Sequence, residues 1–113
     1  MIFNQGDIIK FNFDPSIGRE QAGYRPAVVI SRKMFQEKTG QAVVCPITSK
    51  SRSYPTRVSI GDENETQGFV ICDQIKTIDI NARNPYFSER INESVLDKVL
   101  AIVHSIIEKE ACI

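Results

Sequence analysis

The segment DIIKFNFDPSIGREQAGYRPAVVI, residues 7–30, joins two strands through a long polar loop. Apolar and polar residues alternate over Asp7–Phe13, as in a half-buried strand, whereas Ala27–Ile30 is continuously apolar, as in a central strand. The intervening loop, Asp14–Pro26, is about twice the usual length, and long loops inside compact domains usually carry function. The segment therefore predicts a sheet with a functional loop at one end.

Arg25 is placed where this loop enters the second strand. Pro26 follows it and biases its backbone toward an extended conformation. A planar guanidinium that is always charged, offered from a strand end, suits a phosphate or a carboxylate. The alternative is an ordinary surface ion pair with Glu20 or Asp14.

Length and composition are those of one globular domain over residues 1–113. Apolar residues make up 42% of the chain and charged residues 25%, which is ordinary for a globular protein. No apolar run approaches the ~20 residues that a membrane span needs, and Met1–Asp7 lacks the features of a signal peptide. We therefore expect a cytoplasmic protein with no membrane contact.

The three cysteines also fit a reducing compartment. They are odd in number, widely spaced and without a C-x-x-C pair. Cys45 and Cys72 lie in apolar runs, so we expect small buried thiols there, and Cys112 stands near the end of the chain. A metal role is the alternative, but zinc would need further ligands and the chain has one histidine. We expect neither a metal nor a cofactor.

Charge is balanced overall but segregated along the chain. The 14 basic and 14 acidic side chains give a net charge of zero, which excludes a generally basic nucleic-acid coat. Between Lys38 and Gly61, however, all four charged residues are basic. The pattern predicts one local positive surface.

Short strands continue through the first three-quarters of the chain. Ser31 is expected to cap a short helix over 32–38 that Gly40 ends. Further strands are predicted at Pro26–Ser31, Gln41–Ile47, Thr56–Ile60, Gly68–Cys72 and Ile75–Ile80. About five or six antiparallel strands that curl closed, or nearly closed, would limit exposed edges.

The last segment is helical in pattern. Apolar residues recur at helical spacing over Glu93–Glu110, and Asn92 is a suitable N-cap. This apolar stripe should pack against the sheet or against a partner subunit. His104 falls at its flank, where a structural role is favoured over a catalytic one.

Motifs for nucleophilic or metal-assisted catalysis are missing from the sequence. What remains is a set of polar and cationic side chains at strand ends: Arg25, Thr48, the loop Lys50–Arg57, Gln74, Lys76, Asp79 and Arg83. RNA brings its own nucleophile, the 2′-hydroxyl, so a protein that clamps the phosphate and aligns this oxygen needs little more. A solvated basic surface without chemistry is the alternative.

At these residues the chain resembles the MazF/PemK (Kid) family of type II toxin–antitoxin ribonucleases. The similarity runs nearly end to end and is closer to the MazF branch. The shared motifs are GDIIKFNFDP (Gly6–Pro15), GREQAGYRPAVVIS (Gly18–Ser31), PITS (Pro46–Ser49), YPTRV (Tyr54–Val58) and DQIKTID (Asp73–Asp79).

The resemblance implies a mainly β fold with helices (α+β), an SH3-like small β-barrel of the CcdB/MazF type with a C-terminal amphipathic helix. It implies a homodimer that holds single-stranded RNA in a groove built by both subunits. It also implies metal-independent, sequence-specific cleavage of mRNA to 2′,3′-cyclic phosphate and 5′-hydroxyl ends. A cognate acidic antitoxin, MazE-like, would fold over the same groove.

Family positions carry over residue by residue. The arginine of the R-P motif is Arg25 and the threonine of P-x-T is Thr48, both catalytic, and Glu20 of E-Q-x-G is a candidate proton acceptor. Gln74 of D-Q would line the RNA groove. Further RNA contacts are expected from Lys50, Arg52, Arg83 and Ile17, the last standing near the place of a Kid-branch histidine.

Two other functions remain open from the sequence. CcdB toxins share this fold but poison gyrase, so the fold alone does not fix the activity. A passive RNA-binding barrel would bind RNA in a salt-dependent way and release no product.

Overall fold

The computed structural model describes residues 1–14, 18, 23–50 and 53–111. The elements in chain order are β1 (Asp7–Asn12), β2 (Tyr24–Val29), α1 (Lys33–Thr39), β3 (Gln41–Thr48), β4 (Arg57–Ser59), β5 (Phe69–Ile71), β6 (Lys76–Asp79), α2 (Ile80–Arg83), β7 (Tyr86–Arg90) and α3 (Glu93–Ile107). Within these ranges, no helix is both long and apolar enough to cross a membrane.

The described strands form one seven-stranded sheet in the order β4-β5-β3-β2-β1-β7, with β6 also paired to β3. Every pairing is antiparallel. Strand β3 is the branch point, because its first half pairs with β6 and its last two residues pair with β5. The sheet therefore divides at β3 and curls in two directions.

Alternation along the central strands fills a core on each face of the sheet. In β1, Ile9 and Phe11 belong to one apolar cluster, whereas Ile8 belongs to the other. The first cluster, which we call the β6 core, is built with side chains of β6 and α2. The second, the α3 core, includes Val95 and Val99 of the C-terminal helix. Ile8 and Ile9 point to opposite faces of the sheet, and both are fully buried because each face has its own core.

The C-terminal helix begins as expected from the sequence. The Asn92 side chain accepts a hydrogen bond of 2.9 Å from the Ser94 amide, and Val95, Leu96, Val99 and Val103 are buried. The helix ends at Ile107, three residues earlier than expected. The apolar stripe packs against the sheet, which was one of the two placements expected from the sequence.

Polar contacts link the two ends of the curled sheet. The Glu89 carboxylate of β7 accepts hydrogen bonds from the Asn64 side chain at 2.8 Å, the Glu65 amide at 3.1 Å and the Thr66 amide at 2.7 Å. It also accepts one from the Thr66 hydroxyl at 2.6 Å. These residues belong to the connection between β4 and β5, so β7 is joined to the opposite end of the sheet by side chains and not by a backbone ladder.

Several details differ from the sequence expectations. Strand β2 begins at Tyr24, two residues before the predicted Pro26, and ends at Val29 and not at Ser31, so Arg25 lies within the strand and not in the loop. Ser31 does not cap α1: its hydroxyl accepts a hydrogen bond from the Val43 amide at 2.9 Å, and Arg32 holds the N-cap position without a side-chain cap. The sheet also has one strand more than expected, because β7 was not recognised. Gly40 ends α1 in the left-handed conformation, with φ 73°, as predicted.

Candidate functional site

Strand register brings Arg25 and Thr48 together. Strands β2 and β3 pair as Ala27 with Pro46, Val28 with Cys45 and Val29 with Val44. Arg25 and Thr48 each lie two residues beyond the last of these pairs, and the alternation that puts Ala27 and Val44 in the β6 core continues along each strand to both. The guanidinium and the hydroxyl therefore belong to the same face at the same end of the sheet.

The face in question is that of the β6 core. Arg25 pairs with Phe11 on its other side, and the Phe11 and Phe13 rings are stacked with centroids 4.3 Å apart. Both phenylalanines are buried. Arg25 itself is half-buried, and its partner in β1 belongs to this buried aromatic pair.

Thr48 is held in place by close packing. It is only 2% exposed, and its Oγ1 accepts a hydrogen bond of 3.3 Å from the Lys50 amide. Gly68, with φ 118°, passes so close that a Cβ there would lie 1.9 Å from the Thr48 carbonyl oxygen. The threonine is thus fixed from one side by β5 and from the other by its own loop, which is the rigidity a positioning group requires.

Gln74 extends the site across a third strand. Val44 pairs with Lys76 and Ala42 with Ile78, so the even-numbered residues of β6 face the β6 core. Gln74 lies two residues before Lys76, and the same alternation of partly buried and exposed residues runs back to it. Arg25, Thr48 and Gln74 therefore share one face of β2, β3 and the approach to β6 and form a slanted row, because the register of β3 with β6 leads to Gln74 opposite Pro46, two residues from Thr48. Lys76 lies on the same face but pairs with Val44, four residues from Thr48, and so stands apart from this row.

Arg83 and Lys50 have different surroundings. One guanidinium nitrogen of Arg83 donates to the carbonyl oxygens of Asn12 at 2.9 Å and Asp14 at 2.6 Å, so this side chain secures the end of β1 where the long loop begins. The side chain of Lys50 is exposed beside Thr48. Arg83 thus holds the backbone at the end of β1. Lys50 lies on the solvent-exposed side of the site, which we call its open side.

Three of the residues assigned by resemblance, Ile17, Glu20 and Arg52, lie outside the described residues. The ends of the long loop are nevertheless defined. Asp14 accepts a hydrogen bond of 3.0 Å from the Gly23 amide, and the Phe13 amide donates to the Gly23 carbonyl at 2.8 Å. The loop therefore leaves and rejoins the sheet beside Arg25.

An exposed aromatic pair lies next to this site and was not anticipated. Tyr24 and Tyr86 stack with centroids 6.0 Å apart, and they are 59% and 48% exposed. Tyr24 pairs with Asn12 and so belongs to the face opposite that of Arg25. Its only signal in the sequence is its position directly before the R-P motif.

The remaining titratable groups stand apart from the site. Burial, with the nearby Cys72 and Asp73, raises the pKa of Cys45 to about 12, and burial with Asp73 raises the pKa of Cys72 to about 11. Both thiols are buried and free, as predicted. His104 is exposed on α3. Over the described parts of the chain, no three His, Cys, Asp or Glu side chains are grouped so that they could hold a metal ion.

Comparison with known proteins finds related toxins over nearly the whole chain. A family described as PemK-like, MazF-like toxin of type II toxin-antitoxin system matches residues 4–107. The endoribonuclease toxin MazF of Escherichia coli K12 is 44% identical over 80 residues, which cover 71% of each chain.

Solved structures agree with this relationship. A crystal structure of MazF from Deinococcus radiodurans has a TM-score of 0.90 and 28% identity, and the match covers 96% of this chain and 99% of that one. A MazE–MazF structure from the same organism has a TM-score of 0.85 and 26% identity, over 97% of this chain and 100% of that one. The α+β fold expected from the sequence, with its curled sheet and C-terminal helix, is confirmed.

Proposed function

Because the chain belongs to the family of PemK-like, MazF-like toxins of type II toxin–antitoxin systems, we propose that it is an endoribonuclease toxin that cuts single-stranded mRNA. The proposal is supported by the placement of Arg25, Thr48 and Gln74 on one face near one end of the sheet. A guanidinium, a hydroxyl and an amide in one row suit a phosphodiester flanked by bases.

The reaction that these groups support is an in-line attack within the RNA. The 2′-oxygen bonds to the adjacent phosphorus, the bond from phosphorus to the 5′-oxygen breaks, and the ends are a 2′,3′-cyclic phosphate and a 5′-hydroxyl. One proton leaves the 2′-hydroxyl for the Glu20 carboxylate, and the departing 5′-oxygen takes one proton from solvent water. The nucleophile is supplied by the substrate, so the protein's task is alignment and charge stabilisation.

Each site residue has a role in this scheme. Arg25 clamps the scissile phosphate and offsets the negative charge that grows on its oxygens, and it stays protonated throughout. Thr48 donates a hydrogen bond to the same phosphate. Gln74 contacts the RNA beside it, and Glu20 accepts the proton from the 2′-hydroxyl. Because the positive charge at the phosphate comes from arginine, the scheme requires no metal ion.

The remaining RNA contacts are proposed along the open side of the row. Lys50 lies there next to Thr48, and Arg52 follows two residues later in the same loop. Arg83 and Ile17 complete the proposed RNA-binding set, Arg83 through the nitrogens that the Asn12 and Asp14 carbonyls leave unoccupied. An mRNA substrate assigns the enzyme to the cytoplasm.

Two protein partners complete the proposal. One is a second copy of the chain: Met1, Ile2 and Phe87 are exposed apolar residues that line one cleft, and such patches usually mark an interface. The other is an acidic, MazE-like antitoxin, supported by the similarity to toxin solved together with MazE. The RNA groove would be built by both subunits of the dimer.

End-mapping of a cleaved RNA tests the activity and its chemistry together. The wild type should leave 2′,3′-cyclic phosphate and 5′-hydroxyl ends and keep its rate in EDTA. Arg25→Ala should remain folded and lose at least ~10²-fold in rate, the typical value of one preorganised donor. Arg25→Lys, which keeps the charge but not the planar fork, is the matched control and should fall between the two.

The alternatives give different results in the same assay. A gyrase poison would leave the RNA intact, and a passive RNA-binding barrel would bind it without product. Cleavage by Arg25→Ala at the wild-type rate would refute the role of this residue. Loss of cleavage in EDTA would refute the metal-independent scheme.

A further inference from the structure

The exposed tyrosine pair lies over strand β1 and has no part in the RNA-cleaving row. Tyr24 of β2 pairs with Asn12 on one side of β1, and Tyr86 of β7 pairs with Lys10 on the other. Strands two apart in a sheet are separated by about 10 Å. The ring centroids are only 6.0 Å apart, with planes 28° from parallel. The two rings therefore lean toward each other across β1 and form an offset stack, which we call the tyrosine platform.

The platform faces solvent. Tyr24 is 59% exposed and Tyr86 is 48% exposed, whereas Ile8 and Val28 on the same face are buried under α3. Desolvation and then the neighbouring Tyr86 hydroxyl raise the pKa of Tyr24, so this phenol is uncharged at neutral pH and does not repel an anion. Two aromatic side chains left exposed side by side are typical of a binding surface.

Cations lie on two sides of the platform. Lys10 is half-buried on the same face, directly opposite Tyr86. The Arg83 guanidinium lies at the end of β1, where one of its nitrogens donates to the carbonyl oxygens of Asn12 and Asp14. Asn12 is also the partner of Tyr24, so this guanidinium is placed beside the stacked rings.

Negative charge on this face is already bound. Within strands β1, β2 and β7, all of which the structure describes, Glu89 is the one acidic residue that shares the face with the platform. It lies opposite Ile8, and its carboxylate accepts hydrogen bonds from Asn64 and Thr66. Stacked aromatic rings bordered by cations are the features with which proteins bind single-stranded nucleic acid.

The platform and the cleavage site meet at the same end of the sheet. Tyr24 directly precedes Arg25 in β2, and successive residues of a strand point to opposite faces. An RNA strand whose phosphate is held by Arg25 can therefore pass over this end, beside Arg83, and reach the tyrosines within a few nucleotides.

From these features we infer that Tyr24 and Tyr86 bind a nucleobase of the RNA that flanks the cleaved linkage, with Lys10 on the adjoining phosphate. The inference rests on the proposed function for its substrate and adds a subsite that holds RNA without touching the reacting atoms. Stacking tolerates any base, because every base has a π-face. The platform therefore contributes affinity for longer RNA and does not read the cut sequence.

Steady-state cleavage of two RNAs tests the subsite. Both contain the cut sequence found by end-mapping, and only the long one extends several nucleotides to each side. Tyr86→Leu keeps apolar bulk but no π-face, and it should raise KM for the long RNA about tenfold, in the range of one lost base stack, with kcat unchanged. The same variant should cut the short RNA as the wild type does. Tyr24→Leu should behave alike.

Matched variants separate stacking from other effects. Tyr86→Phe and Tyr24→Phe keep the rings and should have wild-type KM on both RNAs. Phe35→Leu changes an exposed aromatic residue of α1, away from the platform, and should have no effect. Lys10→Gln should raise KM several-fold on the long RNA only, with the exposed Lys38→Gln as its unaffected control.

Binding of an uncleavable RNA tests the platform without catalysis. The probe is a labelled single strand of mixed sequence whose 2′-oxygens are all methylated, so it has no nucleophile, and its affinity is measured by fluorescence anisotropy. Tyr86→Leu should bind it about tenfold more weakly than Tyr86→Phe does. The chain has three tyrosines and no tryptophan, so quenching of tyrosine emission by the bound RNA reports stacking directly.

These measurements distinguish failure of the inference from failure of the proposed function. A protein that binds the methylated RNA through its tyrosines but cuts no RNA would refute the proposed function and leave the platform standing. Normal cleavage with equal KM for the leucine and phenylalanine variants on the long RNA would overturn the platform. An equal rise of KM on both RNAs would overturn it too. So would loss of self-association in the leucine variants, seen by sedimentation, because the tyrosines would then be a contact between copies of the chain.

Discussion

Replacing Gly68 by alanine should displace the strand end that carries Thr48. The added Cβ would lie 1.9 Å from the Thr48 carbonyl oxygen, 2.8 Å from its carbonyl carbon and 3.0 Å from the Ser49 Cα. All three atoms are backbone, so no side chain can rotate away. Reaching the ordinary contact distance of 3.4 Å requires β3 and β5 to separate by about 1.5 Å at this point.

The cost of Gly68→Ala has two sources. The backbone at Gly68 has φ 118°, where a residue with a Cβ is strained by about 1–3 kcal/mol. Separating the strands also weakens the pairing of Thr48 with Phe69 and the bond from the Ile60 amide to the Gly68 carbonyl, at about 0.5–1.5 kcal/mol each. The expected loss is about 3–5 kcal/mol in the free energy of unfolding, a large part of a typical domain's stability.

Gly61→Ala is the matched control, because Gly61 also has a positive φ, 84°, but a Cβ there would meet no atom within 4 Å. It should lose only the conformational part, about 1–2 kcal/mol. Urea denaturation of both variants at equal protein concentration separates the two contributions. Where Gly68→Ala is still folded, RNA cleavage should fall because Thr48 has moved. Equal stability of the two variants would refute the close-contact argument.

Four further outcomes are expected. Thr48→Ala should slow RNA cleavage less than Arg25→Ala does, and Thr48→Ser, which keeps the hydroxyl, should retain much of the rate. Desolvation raises the pKa of Glu89, but its hydrogen bonds from Thr66, Asn64 and Glu65 outweigh this and lower it below 4.5. The ionised Glu89 carboxylate therefore stabilises the fold above pH 4.5, and this contribution is lost as the pH falls through the lowered pKa of Glu89. In the Glu89→Gln variant, the free energy of unfolding measured with urea should depend less on pH in this acidic range. In a Cys112→Ser variant the two remaining thiols should react with a thiol reagent at pH 8 only after denaturant is added, because burial raises the pKa of Cys45 and Cys72 to about 12 and 11.

Elements with strong local patterns were predictable from the sequence. Strand β1 alternates, the second half of β2 is the apolar run Ala27–Val29, and α3 carries both an N-cap and an apolar stripe. All three elements are confirmed, although β2 begins and ends two residues earlier than predicted and α3 ends three residues earlier. Strand β7 was missed because its sequence, YFSER, has no buried residue and no alternation. It exists because β1 offers it an edge and because Glu89 is bound by the β4–β5 connection, and neither cause is local in sequence.

The Ser31 cap failed for a similar reason. Serine before a helical pattern is a good N-cap signal, but its hydroxyl serves the Val43 amide of a strand 12 residues away. The Ser31 hydroxyl could accept a hydrogen bond from an amide of α1 or from the Val43 amide. Tertiary structure places the Val43 amide within reach, and sequence spacing does not reveal this.

The candidate site was only partly predictable. Arg25 and Thr48 were each expected at a strand end, but that they lie on one face near one end of the sheet follows from the register of β2 and β3, which the sequence does not specify. The role of Arg83 at the Asn12 carbonyl was also hidden, because it depends on a contact 71 residues apart in the chain. Lys76 was recognised as polar, and its pairing with Val44 places it on the same face as Thr48 but four residues away.

Pro26 and Pro46 lie between the buried part of strands β2 and β3 and the end that carries Arg25 and Thr48. The ladder between β2 and β3 ends at the pairing of Ala27 with Pro46, and Pro26 is the preceding residue of β2. Neither proline has an amide to donate. The Ile30 amide donates to the Val43 carbonyl, so the even-numbered residues of β2 bond to β3, and Pro26 therefore removes a donor from this ladder, whereas the Pro46 nitrogen is directed to the other neighbour of β3. The fully buried residues Ala27 and Val28 hold the strands together on one side of Pro26. On its other side, Arg25 and Thr48 lie where fewer backbone bonds join the strands. A phosphate can therefore be bound at that end while the buried part of the ladder stays intact.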